Sequence, residues 1–219
     1  MFTSLREMNI SKFLLIDAVL VIAAIPLLFF VSSGKRKSPF LRSSSKEELL
    51  RKASCKLPDK EKLRELEKFA IKQGSGIEFD SIIGIWKFIS IWKKDIDEED
   101  PVFSSLLRVF SAKIEFKKDL LTENSTELAV IATIQFGMFS IGFSGTGYLK
   151  GKQPLVPFCL NLIELKSGSN ILLRRSLKAP EEKEKSFFAM IALEENDELL
   201  SARGQGGEVV IWLKDSNQE

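Results

Sequence analysis

The chain has 219 residues, of which 44% are hydrophobic, so it is long enough for one sizeable folded domain with additional segments. Its 32 basic and 30 acidic residues leave a formal net charge of +2, and so small a charge argues against a nucleic-acid-binding protein. Most aromatic side chains are Phe, which carries no polar group, and this composition favours a dry interior. An ordinary Phe-rich core is the simpler interpretation of the same composition.

The chain contains no His, which removes the commonest general base near neutral pH and the commonest metal ligand. The two Cys residues, Cys55 and Cys159, are predicted to be free thiols in a reducing compartment, with a disulfide as the alternative. The carboxylates Glu181, Glu182 and Glu184 lie in a Lys/Glu-rich stretch that is typical of a solvated loop. The sequence therefore predicts no catalytic residue, no metal and no cofactor.

The stretch from Phe13 to Val31 is apolar apart from Asp17 and has about the 20 residues that a helix needs to span a bilayer. We therefore predict a transmembrane helix over 13–31, with Asp17 close enough to its N-terminal end to reach the headgroup region. A cleaved signal peptide is the competing interpretation, but the run is longer than the roughly 7–15 apolar residues of such a peptide.

Four basic residues follow this segment, namely Lys35, Arg36, Lys37 and Arg42. Because basic residues resist translocation, the positive-inside rule predicts a single-pass membrane protein whose C-terminal domain faces the cytoplasm or the stroma of a plastid. The same four residues could also bind anionic headgroups at the membrane surface, at about 1 kcal/mol for each residue.

Helical patterns follow the basic cluster. Ser45 and Glu48 form a capping box that predicts the start of one helix, and a second helix is predicted to end at Gly74. The chain is thus divided into five parts: a tail over 1–12, the transmembrane helix over 13–31, a basic and Ser-rich linker over 32–44, a helical neck over 45–76 and a β domain over 77–219.

Beyond the neck, the spacing of apolar residues changes to the alternation of β-strands. The strand Gly84–Trp92 is predicted to place Trp86, Phe88 and Trp92 on one face. Further strands are predicted over 108–117, 128–136, 139–149, 158–165, 171–177, 187–193 and 209–213. About eight short strands with one apolar face predict an antiparallel β-barrel, which either is filled by side chains or holds one small ligand. A β-sandwich is the alternative fold.

Glycines are concentrated at two places in the β domain. Those within the strand over 139–149 predict the bends or bulges that a barrel needs to close. Those between Arg203 and Val209 predict a tight hairpin, because no helix follows that would make the segment a phosphate-binding loop. Arg203 itself is predicted to stack on an aromatic ring at the end of the barrel or to pair with a polar headgroup.

Several short motifs resemble those of the plastid lipid-associated proteins, also called fibrillins. They are the Lys-Glu-Glu-Leu-Leu run at 46–50, the Gly-Ile-Trp-Lys strand at 84–87 and the segment over 202–214, and the resemblance covers most of residues 45–214. Gln205 and Ser90 depart from the family pattern. The resemblance implies a lipocalin-like barrel that binds or organises lipophilic molecules such as carotenoids or quinones. It also implies a photosynthetic membrane, the thylakoid or plasma membrane of a cyanobacterium or a plastid membrane.

The expected function is therefore that of a membrane-anchored, non-enzymatic binder of a lipid, quinone or carotenoid. The candidate lining residues are large apolar side chains and one arginine: Trp86, Phe88, Trp92, Phe110, Phe116, Phe136, Arg203 and Trp212. The first alternative is an assembly factor that holds protein subunits of the same membrane. The second alternative is an enzyme that acts by shape and a single acid.

Overall fold

The computed structural model of the protein describes residues 46–52, 56–94, 97–118, 127–178, 185–194 and 198–215. Helices in this part are α1 (Lys46–Lys52), α2 (Lys60–Gln73), α3 (Phe79–Ile82) and α4 (Pro101–Val109). Strands are β1 (Gly84–Trp92), β2 (Lys113–Lys118), β3 (Glu127–Phe136), β4 (Phe139–Tyr148), β5 (Leu155–Ser167), β6 (Asn170–Ser176), β7 (Ser186–Glu194), β8 (Leu199–Gly204) and β9 (Val209–Lys214). The predicted tail, transmembrane helix and linker lie outside the described residues.

The strands form one antiparallel sheet in the order β4-β3-β2-β1-β9-β8-β7-β5-β6. A further pairing of β4 with β5 joins the two sides of this sheet, so eight of the strands form a ring and β6 remains outside it, attached to β5 alone. The long β5 makes this possible, because its first residues pair with β7 and its last residues pair with β6. The predicted mainly β, antiparallel architecture is confirmed.

The ring closes where β4 and β5 approach each other most closely. A Cβ atom on Gly145 would lie 1.8 Å from the carbonyl oxygen of Cys159, so only glycine fits at this position. The register between the two strands also shifts between Ser144 and Gly145, which marks a β-bulge. The bend predicted from the glycines of this strand is therefore present at the closure.

The sheet buries apolar side chains on both of its faces. The inner face of the ring holds the larger cluster, which includes Trp86, Phe116 and Phe188. A second cluster lies on the outer face of β1, β7, β8 and β9, where α1 and α2 cover it with Leu49, Leu63 and other leucines. The Asp59 side chain caps the N-terminus of α2. Because α2 is amphipathic, its apolar side packs on the sheet, as the helical pattern predicts.

The prediction that Trp92 shares a face with Trp86 and Phe88 is wrong. Phe88 pairs with Trp212 and Ser90 pairs with Ile211, so Ile89 is an additional residue in β1 and forms a β-bulge. A single extra residue reverses the direction of every side chain that follows it. Trp92 consequently packs in the outer cluster beneath the helices, whereas Trp86 and Phe88 point into the ring.

The predicted strand over 108–117 is wrong in its first half, where the chain forms the end of α4. The Asp100 side chain accepts hydrogen bonds from the backbone N–H groups of Val102 and Phe103, both at 3.1 Å, and Pro101 occupies the first turn. An acidic cap followed by Pro is a strong helix start, and it outweighs the short alternation that follows.

The sheet has nine strands in the described residues, whereas about eight were predicted. The additional strand is β8, which was not among the predicted strands.

Candidate functional site

The two ends of the ring are covered by different helices. α3 leads into the first residue of β1 and lies at one end, which we call the α3 end. α4 connects the last residue of β1 to the first residue of β2 and lies at the opposite end, the α4 end. The α3 end is filled: Trp86 is fully buried, and its indole N–H donates a hydrogen bond of 2.7 Å to the backbone carbonyl of Ile82 in α3.

The α4 end contains a small apolar cavity of about 50 Å³. Together with the open space in front of it, the depression measures about 540 Å³. Its lining comes from six strands, α4 and the turn after α4, and consists of Phe88, Ile91, Leu107, Ala112, Lys113, Ile114, Ala132, Thr133, Ile134, Phe143, Phe188, Val210 and Trp212. At roughly 10–15 Å³ for each water-sized group, a cavity of this volume holds a few carbon atoms and not a whole carotenoid or quinone.

The two polar residues of this lining do not point into the cavity. Lys113 and Thr133 are cross-strand partners, and their neighbours Ile114 and Ala132 form the adjacent pair on the inner face. Since side chains alternate along a strand, those of Lys113 and Thr133 project to the outer face. Among the described residues, the side chains that face the cavity are thus apolar, and none of them could act as an acid, base or nucleophile.

The apolar inner face continues out of the ring across β5 and β6. Cross-strand partners lie on the same face of a sheet, and Ala132 pairs with Phe143, which pairs with Ile163. The next row toward the hairpin tips consists of Ile134, Ile141, Leu165 and Leu173. We call these seven residues the apolar strip. It begins at the cavity and ends on β6, where Leu173 is 53% exposed.

Exposed apolar side chains are concentrated around this end of the ring. Ten large hydrophobic residues are exposed in the described part of the chain, and eight of them lie at the α4 end: Val102, Phe103, Phe136, Met138, Phe139, Ile171, Leu172 and Leu173. The tips of the β3–β4 and β5–β6 hairpins are joined by a hydrogen bond of 2.8 Å from the Gly168 N–H to the Met138 carbonyl. These eight residues form a hydrophobic rim at the end of the ring that contains the cavity.

The predicted lining residues fall into four groups. Phe88 and Trp212 line the cavity. Trp86 and Phe116 point inward but belong to the filled part of the core. Phe136 lies at the rim and contacts the buried Phe110 edge to face, with 5.6 Å between ring centres. Trp92 and Arg203 lie on the outer face of the sheet, so neither can line the interior.

Arg203 joins the sheet to the neck. Its guanidinium group donates hydrogen bonds to the Glu67 carboxylate of α2 at 2.5 and 2.7 Å, to the Gly207 carbonyl and to Asp97. The hydrogen bond to Glu67, followed by the charges of Glu67 and Asp97, raises the pKa of Arg203 despite its partial burial. The predicted aromatic stacking of Arg203 is therefore wrong, and the side chain holds α2 against β8.

Asp97 belongs to the same group of charges. Partial burial acts to raise the pKa of its carboxyl group, but hydrogen bonds from Arg64 and Arg203 outweigh that effect and hold the pKa below the ordinary value of 3.8.

The tight hairpin predicted between Arg203 and Val209 is present. It joins β8 to β9, and Gly207 in its turn has a φ of +98°.

Sequence reasoning missed most of the cavity wall, including Leu107, Ala132, Phe143 and Phe188. The alternation in β3 does place Ala132 on the buried face, so this residue could have been found once the inner face was known. Leu107 could not, because the sequence analysis predicted no helix over 101–109. Phe143 and Phe188 become neighbours only through the closure of the ring.

Several predictions fall on residues outside the described part. They include the membrane-surface cluster Lys35, Arg36, Lys37 and Arg42, Cys55, and the acidic loop with Glu181, Glu182 and Glu184. Within the described ranges, no helix has both the length and the apolar character that crossing a bilayer requires. The transmembrane helix over 13–31 stays a prediction.

A scan against models of known protein families finds no match to this chain. A search of curated proteins likewise finds no similar sequence. The resemblance to the plastid lipid-associated proteins therefore stays a prediction that rests on short motifs.

Proposed function

We propose that the protein is a membrane-anchored, non-enzymatic binder of lipophilic molecules, with a lipocalin-like barrel as its binding domain. The observation that carries this proposal is the apolar cavity at the α4 end, which opens onto the apolar strip and its hydrophobic rim. A filled core needs no such opening, and an exposed apolar surface of this kind is a cost to a soluble domain unless something covers it.

The size of the cavity indicates how such a molecule binds. The cavity of about 50 Å³ takes the end of an alkyl chain, and the rest of the alkyl chain lies along the strip toward Leu165 and Leu173. Each methylene removed from water contributes about 0.8 kcal/mol, so a chain that covers both regions binds usefully without a polar contact. The bound molecule leaves chemically unchanged, because no acid, base or metal ligand of the described residues faces the cavity.

The test is to purify the full chain from its native membrane and to identify bound lipids by mass spectrometry of an organic extract. The proposal predicts one alkyl or prenyl compound at near-stoichiometric yield. The matched control is Ala132→Leu, which fills the cavity and should reduce that yield at least about tenfold. Equal amounts of the same lipids from the wild-type chain and the variant would contradict the proposal.

An assembly factor remains the second candidate, and one observation favours it. The outer edge of β6 is unpaired in the described residues, and Ile171 and Leu172 on this strand are exposed. Such an edge can pair with an extended segment of another protein. Crosslinking in native membranes separates the two functions: an assembly factor gives one fixed protein partner through β6, whereas a lipid binder gives none.

A further inference from the structure

Two adjacent arginines on β6, Arg174 and Arg175, lie on opposite faces of the sheet and differ in the charges around them. Arg174 pairs with Glu164 of β5, and its Nε atom donates a hydrogen bond of 2.6 Å to that carboxylate. Lys166 also contacts Glu164, at 2.9 Å. This side of β5 and β6 is the outer face, because Glu164 alternates with Ile163 and Leu165 of the apolar strip. The charge of Arg174 is thus already partly balanced.

Arg175 lies on the other face. It pairs with Ile163, which pairs with Phe143 of the cavity wall, so its side chain belongs to the same row of the inner face. Among the residues that the structure describes, no carboxylate forms an ion pair with Arg175. This exposed cation therefore stands beside an apolar surface and has no counter-charge in that part of the chain.

The distance from Arg175 to the cavity suits an amphiphile. Neighbouring strands are about 4.8 Å apart, so the backbone of β6 lies roughly 10 Å from that of β4, where Phe143 lines the cavity. Ile163 occupies the space between them, and Leu165 and Leu173 form the next row. A guanidinium group at the end of this path can bind a carboxylate or a phosphate with two parallel hydrogen bonds.

We propose that the ligand is an amphiphile with a single anionic head group, which Arg175 binds while the end of its alkyl chain enters the cavity. This inference rests on the proposed function, since it requires that the cavity takes an alkyl chain. It adds the chemical class of the ligand and the direction in which the ligand lies, with its charged head group at Arg175 and the end of its alkyl chain in the cavity. The negative charge belongs to the head group of either a free fatty acid or an anionic membrane lipid.

The experiment compares two probes that differ in charge, dodecanoate and dodecanol. The full chain is reconstituted in phosphatidylcholine nanodiscs, and binding is followed by the change in intrinsic Trp fluorescence, to which Trp212 in the cavity wall contributes. Empty nanodiscs correct for partitioning into lipid. The variants are Arg175→Gln and its matched control Arg174→Gln, which removes the same charge one residue away on the opposite face.

The proposal predicts that Arg175→Gln weakens dodecanoate binding about five- to tenfold and leaves dodecanol binding unchanged, as expected for the loss of one exposed charge-assisted contact. Arg174→Gln should change either affinity by less than about twofold. If both probes bind and Arg175→Gln affects neither, the anionic head group is ruled out and the proposed function stands. If neither probe binds the wild-type chain, the proposed function fails and this inference fails with it.

A second arm separates the two sources of the ligand. Nanodiscs that contain phosphatidylglycerol supply an anionic head group within the membrane. If a membrane lipid is the ligand, phosphatidylglycerol lowers the apparent dodecanoate affinity of the wild-type chain and has no such effect on Arg175→Gln. If a free fatty acid is the ligand, the wild-type affinity stays within about twofold of its value in phosphatidylcholine. Both results support the anionic head group and identify where it comes from.

Discussion

The two ends of the ring are built from similar residues but are packed differently. At the α3 end, Trp86 and Phe116 fill the interior, and a hydrogen bond to α3 fixes the Trp86 ring. At the α4 end, Phe88 and Trp212 leave a cavity, and the same end carries most of the exposed apolar side chains of the described residues. We therefore expect substitutions at the α3 end to cost more stability than substitutions at the α4 end, where the proposed ligand would bind.

The largest expected effect tests the filled end. Trp86→Ala should lower the free energy of unfolding by about 3–5 kcal/mol, because it leaves a large cavity and an unpaired carbonyl at Ile82. Phe139→Ala is the control at the open end. Its side chain is 41% exposed, so the loss should stay below about 1 kcal/mol. Chemical denaturation measures both, and equal losses would contradict the difference between the ends.

A pair of identical substitutions sharpens the comparison. Ala202 is fully buried in the inner cluster away from the cavity, whereas Ala132 is a cavity-lining residue. Ala202→Leu should destabilise the protein by about 1–3 kcal/mol through overpacking. Ala132→Leu should change the stability by less than about 1 kcal/mol, since the cavity accepts the added carbon atoms, and should weaken dodecanol binding at least about tenfold. A large loss of stability in both variants would show that no usable space exists.

The smallest expected effect concerns the charges that hold the neck on the sheet. Because the pKa of Asp97 is lower in the folded state than in the unfolded chain, its contribution is present above 3.8 and is lost as the pH falls through the lower folded value. Asp97→Asn should therefore cost about 1 kcal/mol at neutral pH, and this cost should decrease steadily as the pH falls below 3.8.

Denaturation at several pH values measures this difference. Asp80→Asn is the control, because its ion pair with Lys118 is largely exposed. If the cost of Asp97→Asn did not depend on pH, the pairing of Asp97 with Arg203 and Arg64 would not stabilise the neck. The variant should leave ligand binding unchanged, since Asp97 lies on the outer face of the sheet with Arg203.

Much of the fold could be predicted because it depends on local patterns. Alternation predicted β3, β4 and β9 to within one or two residues, and helical spacing predicted α2. The bulge at Ile89 could not be predicted, since it depends on the pairing of β1 with β9 and leaves no local signal. For the same reason, the face of the sheet on which Trp92 lies was predicted wrongly.

The candidate site was predicted less completely than the fold. Phe88 and Trp212 were identified because each is a large apolar residue in a recognisable strand. Arg175 was not identified, because the role proposed for it depends on the register of β6 with β5 and on a ring closure that brings β4 beside β5. Arg203 was identified as notable, but its partner Glu67 comes from a helix more than a hundred residues away along the chain.

The most direct test of the account uses dodecanoate brominated at its terminal carbon, because bromine quenches Trp fluorescence only at short range. We expect saturable quenching in the full chain, with Trp212→Phe removing most of it. Trp86→Phe and Trp92→Phe should leave it intact, since these residues lie in the filled core and on the outer face. Quenching that persists in Trp212→Phe, or that is absent from the wild-type chain, would contradict an alkyl chain end in the cavity.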